Sequence, residues 1–243
     1  MKPLFYNHIA ALSHKKHHNV SVQCHANYSF AKSTNSVPLG VGEFHLAAHY
    51  YPIVFLANED GLSPIAIIGL ETKQNIWVDD SGKWLNDYVP AYIRRYPFIA
   101  VKTAQDAFTL CVDESADVVN RDGRGTLLFN GHEPSEYLNE RYKLVEAYEL
   151  EQKRNQILSS ILLKHKLLEA AQLNFKAETE TDLLSGFLVV SRKRLDELES
   201  EAVAELHKSG AMELIYQHLF SLERFQMLAA HVGTYQNSLV VGE

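Results

Sequence analysis

The hydrophobic pattern of this chain changes near residue 133, and the change restricts the folds that the chain can adopt. Before that point, short apolar runs alternate with turns rich in Gly, Asp and Asn, a pattern typical of β-strands. After Pro134, apolar residues recur at the spacing of an amphipathic helix. We therefore predict an α+β fold, in which a β-rich N-terminal half with a mixed sheet packs against a mainly helical C-terminal half.

Several runs in the N-terminal half are interpreted as strands. Their bounds are 20–24, 52–57, 65–70, 75–79, 98–102, 107–112 and 126–129. Because most of these runs are continuously apolar, we expect sheet positions that are buried on both faces. A short helix is predicted over 41–51, where Phe44, Ala47, Ala48 and Tyr51 form one apolar stripe.

The C-terminal half has a different order of predicted elements. These are a helix over 134–173 with a break between about 150 and 157, a strand or hairpin over 179–191, and helices near 192–207 and 211–231. The break is expected because an unbroken helix of that length is rare in globular domains. Gly210 is predicted to follow a helix with a positive φ. We expect residues 1–133 and 134–233 to pack as one compact unit, followed by a loose tail at 234–243.

Composition and charge exclude two classes of partner. The chain has 243 residues, a formal net charge of −7 and a pI near 5.9. Binding to nucleic acid or to an anionic membrane requires a basic surface, so we expect neither partner. Cys24 and Cys111 are too few for a disulfide framework, and no apolar stretch resembles a secretory signal or a membrane span. These features predict a cytoplasmic protein with reduced thiols.

Blocks of sequence in a characteristic order resemble one protein family. They are EF at 43–44, YPIVF at 51–55, YVPAYIRRYPF at 88–98, GF at 186–187 and LIYQHLFSL at 214–222. Together they resemble the bacterial SapC family over nearly the whole chain. The resemblance implies an accessory role beside surface-layer proteins, flavin-dependent halogenase-like proteins or TonB-dependent receptors. It implies no catalytic residue and no known cofactor.

The arginine pair within that distinctive block is a candidate ligand site. Guanidinium groups bind carboxylate or phosphate through paired hydrogen bonds, and the neighbouring tyrosines offer surfaces for stacking. In an extended segment Arg94 and Arg95 would point to opposite faces, so at most one could line a given pocket. Structural salt bridges are the alternative role for both. The candidate ligand-binding residues are Glu43, Tyr92, Arg94 and Arg95, with capping of a helix as the alternative role for Glu43.

Histidines supply weak candidates for a metal site. His45 and His49 have the i, i+4 spacing of two ligands on one helix face, and His17 belongs to a histidine-rich segment. No glutamate follows His45 in the pattern of a hydrolytic zinc site, and further ligands are not evident. We therefore assign no metal and leave the cofactor unknown.

Three functions remain open from the sequence. The first is an accessory binding protein that takes a small anionic ligand or a protein or peptide partner and that could form a homo-oligomer. The second is a metal- or histidine-dependent enzyme that acts on a peptide or small molecule. The third is a surface-layer component. These interpretations depend on one hypothesis, that the side chains of 92–98 and of the helix at 41–51 meet beside a buried sheet in one polar recess.

Overall fold

The structure is a computed structural model that describes residues 3–23, 27–59, 61–102, 108–176, 181–231 and 237–241. The helices in these ranges are α1 (His14–His17), α2 (Phe44–Ala47), α3 (Ala91–Arg94), α4 (Glu136–Lys164), α5 (Arg192–Asp196), α6 (Ser200–Lys208), α7 (Ala211–Ser221) and α8 (Arg224–His231), with 3-10 turns at Ser29–Ala31 and Val41–Glu43. None of these helices combines the length and the apolar character needed to cross a bilayer.

The strands in the same ranges are β1 (Ile9–Ala11), β2 (Ser21–Val22), β3 (Ser36–Pro38), β4 (Ile53–Asn58), β5 (Gly61–Ile67), β6 (Phe98–Lys102), β7 (Phe108–Asp113), β8 (Val119–Asn120), β9 (Thr126–Leu127), β10 (Phe129–Asn130), β11 (Glu133–Pro134), β12 (Leu168–Lys176), β13 (Thr181–Val190) and β14 (Asn237–Val241).

The predicted α+β class is confirmed, with β-rich structure in the first half and most helices in the second. The largest sheet has the order β14-β12-β13-β4-β5-β3, and the smaller ones are β1-β7-β6, β8-β2-β9 and β10-β11. Every strand pairing among the described residues is antiparallel, so the expectation of a mixed sheet was wrong. Strands from both sides of residue 133 share the largest sheet, because β13 pairs with β4.

Several predicted elements need correction. Residues 75–79 form no strand but an irregular segment with one isolated bridge, between Val78 and Trp84. The helix predicted over 134–173 ends at Lys164, and the chain continues as β12, which pairs with β13. Residues 237–241 of the expected loose tail form β14 on the edge of the largest sheet, and 234–236 and 242–243 lie outside the described residues. Cys24 also lies outside the described residues, whereas Cys111 is a buried free thiol.

Helix α4 is unbroken through the region where we predicted an interruption. It packs against β5 of the largest sheet and against β6 of a smaller one. Asn155 is buried in its middle, where it donates from Nδ2 to the Leu39 carbonyl at 2.8 Å and accepts from the Val41 amide at 2.9 Å. Asn155 therefore occupies a buried helix position that would otherwise hold an apolar residue, and it hydrogen-bonds to a loop. The apolar pattern of the sequence is interrupted there although the helix continues.

The junction of β4 and β13 contains a buried histidine. The two strands share only one paired position, Leu188 with Phe55. His218 on α7 lies between them, with Nδ1 at 2.8 Å from the Ile53 carbonyl and Nε2 accepting from the Val190 amide at 3.0 Å. The ring must be neutral, because it donates from Nδ1 and accepts at Nε2. It thereby satisfies the Ile53 carbonyl and the Val190 amide, which do not pair with each other across the two strands.

Candidate functional site

The arginine pair lies at the end of a short helix that starts after Pro90. Residues 91–94 form α3, and Arg95 keeps helical backbone angles. This segment is therefore a helical turn and not the extended segment considered in the sequence analysis. Neighbouring side chains on a helix diverge by about 100°. The side chain of Arg94 is accordingly 42% exposed, whereas that of Arg95 is 5% exposed. Arg94 is therefore the more exposed of the two, and the side chains diverge because of helical geometry and not because of an extended chain.

Arg95 is held inside the protein. Its guanidinium carbon lies 4.4 Å from the centroid of the Tyr92 ring and 4.1 Å from that of Tyr148, and Nη1 lies 3.4 Å from Glu149 Oε1. Burial raises the pKa of Glu149, an effect that the charge of Arg95 opposes. Tyr92 is buried beneath the guanidinium. These contacts make Arg95 and Tyr92 part of an internal ion-pair and aromatic cluster.

Both carboxylate oxygens of Glu43 accept hydrogen bonds from the protein. Its Oε2 accepts from the Gly40 amide at 3.1 Å, and its Oε1 accepts from the Ala91 amide at 2.7 Å and from the Tyr88 hydroxyl. Arg94 Nη2 lies 4.0 Å from the same Oε1. Glu43 thus ties the turn at 41–43 to the start of α3 and helps to position Arg94. Burial, together with the Glu43 charge, raises the pKa of the Tyr88 phenol, which stays protonated and donates to the carboxylate.

Arg94 faces a surface cavity of about 500 Å³. Its Nε donates to the Val89 carbonyl at 2.8 Å, its guanidinium carbon lies 5.9 Å from the centroid of the Tyr88 ring, and Nη2 lies 4.0 Å from Glu43 Oε1. A second arginine, Arg141 on α4, lines the same cavity. Its guanidinium lies 5.3 Å over the Tyr137 ring and 3.8 Å from the Glu140 carboxylate. Among the described residues, Nε of Arg141 is buried without a hydrogen-bond partner.

An aromatic pair separates this cavity from a larger one. Phe30 and Tyr96 stack with centroids 4.2 Å apart and planes at 27°, and both residues line each cavity. The second cavity has a volume of about 850 Å³ and is lined by polar side chains that include Gln23, Asn27 and Asp117. Burial raises the pKa of Tyr96 to about 12, with a further contribution from the charges of Asp113 and Asp117. We name the two cavities together the Tyr96 groove.

The candidate metal ligands do not assemble. His17 is fully buried, with Nε2 3.3 Å from Glu114 Oε1. His45 and His49 are exposed beside α2, and only His45 lies within the helix. In the described ranges no group of three or more His, Cys, Asp or Glu side chains is placed to share a metal ion.

The predicted ligand-binding residues therefore divide into two groups. Arg94 lines an open cavity and Glu43 supports it, whereas Arg95 and Tyr92 face inward. Sequence reasoning missed Arg141 and Glu149, because both lie on α4 and reach the arginine pair only through tertiary packing. The one available signal was a tyrosine beside each arginine, Tyr137 near Arg141 and Tyr96 near Arg94, which is weak on its own.

Comparison with known proteins gives a family match. The SapC family model matches residues 12–228 of the chain, a range that includes both arginines of the cavity. No curated protein and no solved structure matches the chain significantly.

Proposed function

This chain belongs to the SapC family, and we propose that it acts as a binding protein for a small ligand that carries a carboxylate group. The observation that supports the proposal is that Arg94 and Arg141 line one cavity and that, among the described residues, Nε of Arg141 has no hydrogen-bond partner. Arginine binds carboxylates through two parallel hydrogen bonds, and such charge-assisted bonds are among the strongest available at a protein surface.

A carboxylate suits this cavity better than a phosphate monoester. The Glu140 carboxylate lines the same cavity, and it offsets one of the two guanidinium charges. Glu43 also lies 4.0 Å from Arg94, so each guanidinium has a carboxylate nearby, and a dianion would meet more repulsion from Glu140 and Glu43 than a monoanion would. Tyr28, Tyr96 and Tyr137 supply aromatic walls for an apolar part of the ligand.

Benzoate is a suitable probe, because it combines a carboxylate with a flat aromatic ring. We expect benzoate to shift the Nε signals of Arg94 and Arg141 in arginine-selective NMR spectra and benzamide to leave them unchanged. The double variant R94Q/R141Q should bind benzoate at least about tenfold more weakly, since each charge-assisted hydrogen bond contributes roughly 1.5–3 kcal/mol.

A matched control is available on the same helix. Arg154 lies on α4 outside this cavity, is exposed, and pairs with Glu151 at 2.7 Å. The R154Q variant should bind benzoate as the unmodified protein does. Equal affinity of R94Q/R141Q and R154Q for benzoate would remove the proposed site, and tighter binding of phenyl phosphate than of benzoate would contradict the preference for a carboxylate.

The cellular setting forms part of the same proposal. We propose a cytoplasmic accessory protein that works alongside surface-layer, halogenase-like or TonB-dependent receptor systems, and the support for this is the family resemblance. Cell fractionation with an antibody against the chain should recover it with cytoplasmic markers. Recovery with the isolated surface layer would instead support a lattice component.

A further inference from the structure

The larger half of the Tyr96 groove has no assigned role, although it adjoins the arginine cavity. The two cavities share the stacked residues Phe30 and Tyr96 and the polar residues Gln23 and Asn27. A single benzoate-sized ligand fills only part of a cavity of 500 Å³, and the adjoining one measures about 850 Å³. The groove therefore has room for a ligand of several linked units.

The chemistry of the larger cavity differs from that of the arginine cavity. Its described lining includes side-chain amides and hydroxyls, such as Gln23, Asn27 and Ser33, and no lysine or arginine. These groups can both donate and accept hydrogen bonds, as peptide groups require. The aromatic surfaces of Phe5 and Phe30 in the same lining suit apolar side chains.

Asp117 is the acidic residue of this lining. It is exposed, and its carboxylate has no hydrogen bond or ion pair with the residues that the structure describes. It lines the larger cavity together with Tyr96, whose pKa its charge helps to raise. The groove thus has two guanidinium groups, those of Arg94 and Arg141, in one half and the carboxylate of Asp117 in the other.

We infer that the Tyr96 groove binds a short peptide with free ends, whose terminal carboxylate lies at Arg94 and Arg141 and whose terminal ammonium group lies at Asp117. The inference rests on the proposed function, because it extends the carboxylate ligand into the second cavity. A peptide offers a carboxylate to the two arginines and an ammonium group to Asp117. Its amide groups can form hydrogen bonds with the polar lining between these ends. A sugar phosphate would leave Asp117 unmatched and would bring a dianion beside Glu140.

The test uses the tetrapeptide Ala-Phe-Ser-Phe in four forms, with each end either free or blocked by N-acetylation or C-amidation. Binding to the full chain is measured by calorimetry or NMR titration. We expect amidation to weaken binding at least about tenfold, since it removes the charge-assisted bonds to arginine. Acetylation should weaken it by about threefold, the range of an exposed ion pair.

Variants separate the two ends of the groove. In D117N the free peptide should bind about threefold more weakly, and acetylation should have no further effect, because the ammonium partner is already lost. The control is D87N, since Asp87 is also exposed but lines neither cavity. Both variants change an exposed side chain, and unchanged thermal unfolding verifies that each is folded.

The outcomes distinguish this inference from the proposed function. If amidation weakens binding while acetylation has the same negligible effect on the unmodified protein and on D117N, the carboxylate site stands and the peptide inference is wrong. If neither benzoate nor any form of the tetrapeptide binds, both are wrong. Tighter binding of glucose 6-phosphate than of the free tetrapeptide would also overturn the inference.

Discussion

His218 shows how a single buried side chain can couple stability to pH. Burial lowers its pKa to about 4, the Ile53 carbonyl opposes this shift, and the charge of Arg192 adds to it. In the unfolded chain a histidine has a pKa of about 6.5. As the pH falls below that value, the unfolded state takes up a proton that the folded state accepts only near pH 4.

The free energy of unfolding should therefore decrease between pH 6.5 and 4, by roughly 1 kcal/mol for each pH unit from this residue. H218Q is the informative variant, because a glutamine amide can donate to the Ile53 carbonyl and accept from the Val190 amide but does not titrate. Urea unfolding at several pH values should give a shallower decrease for H218Q than for the unmodified protein. Parallel curves would show that His218 is not the residue responsible.

At the scale of the elements, α4 connects two sheets and the arginine cavity. Ser135 begins the helix by accepting from the Leu138 amide at 3.2 Å, and Arg141, Glu149 and Asn155 then project from it at different heights. The loop before α2 lies so close to α4 that a Cβ at Gly40 would fall 2.7 Å from the Cβ of Glu151. A shift of α4 would therefore require the loop before α2 to move with it.

Replacement of Asn155 tests this coupling. N155L should lower the free energy of unfolding by about 2–3 kcal/mol, because the Leu39 carbonyl and the Val41 amide would lose their partner in a buried setting. N139A is the matched control, since Asn139 is exposed on the same helix. Denaturant unfolding measures both variants. A stability of N155L equal to that of N139A would mean that the loop finds other hydrogen-bond partners.

For the whole molecule, the sequence predicts those elements whose signal is local. Strands β4, β5, β6 and β7 lie within a few residues of their predicted bounds, because each is a short apolar run between turn residues. Gly210 has the positive φ, 75°, expected after a helix. Strand β12 was mistaken for helix, because its state depends on pairing with β13 and β14 and not on its own pattern.

The candidate site was harder to predict, because it also depends on contacts between residues that are far apart in the sequence. Arg94 was identified because arginine between tyrosines is chemically suggestive, but its partner Arg141 is distant in the sequence. Only the packing of α3 on α4 brings the two together. The buried position of Arg95 also depends on its contacts with Tyr148 and Glu149. No pattern in the sequence near Arg95 predicts these contacts.

The pairing of β4 with β13 has a consequence for how the chain matures. During synthesis, β4 and β5 can form their hairpin early, but the outer edge of β4 has no neighbour until β13 has emerged from the ribosome. An unpaired strand edge is a site for wrong association with other nascent chains. The nascent chain therefore exposes an unpaired strand edge from the time β4 emerges until Thr181–Val190 follows it.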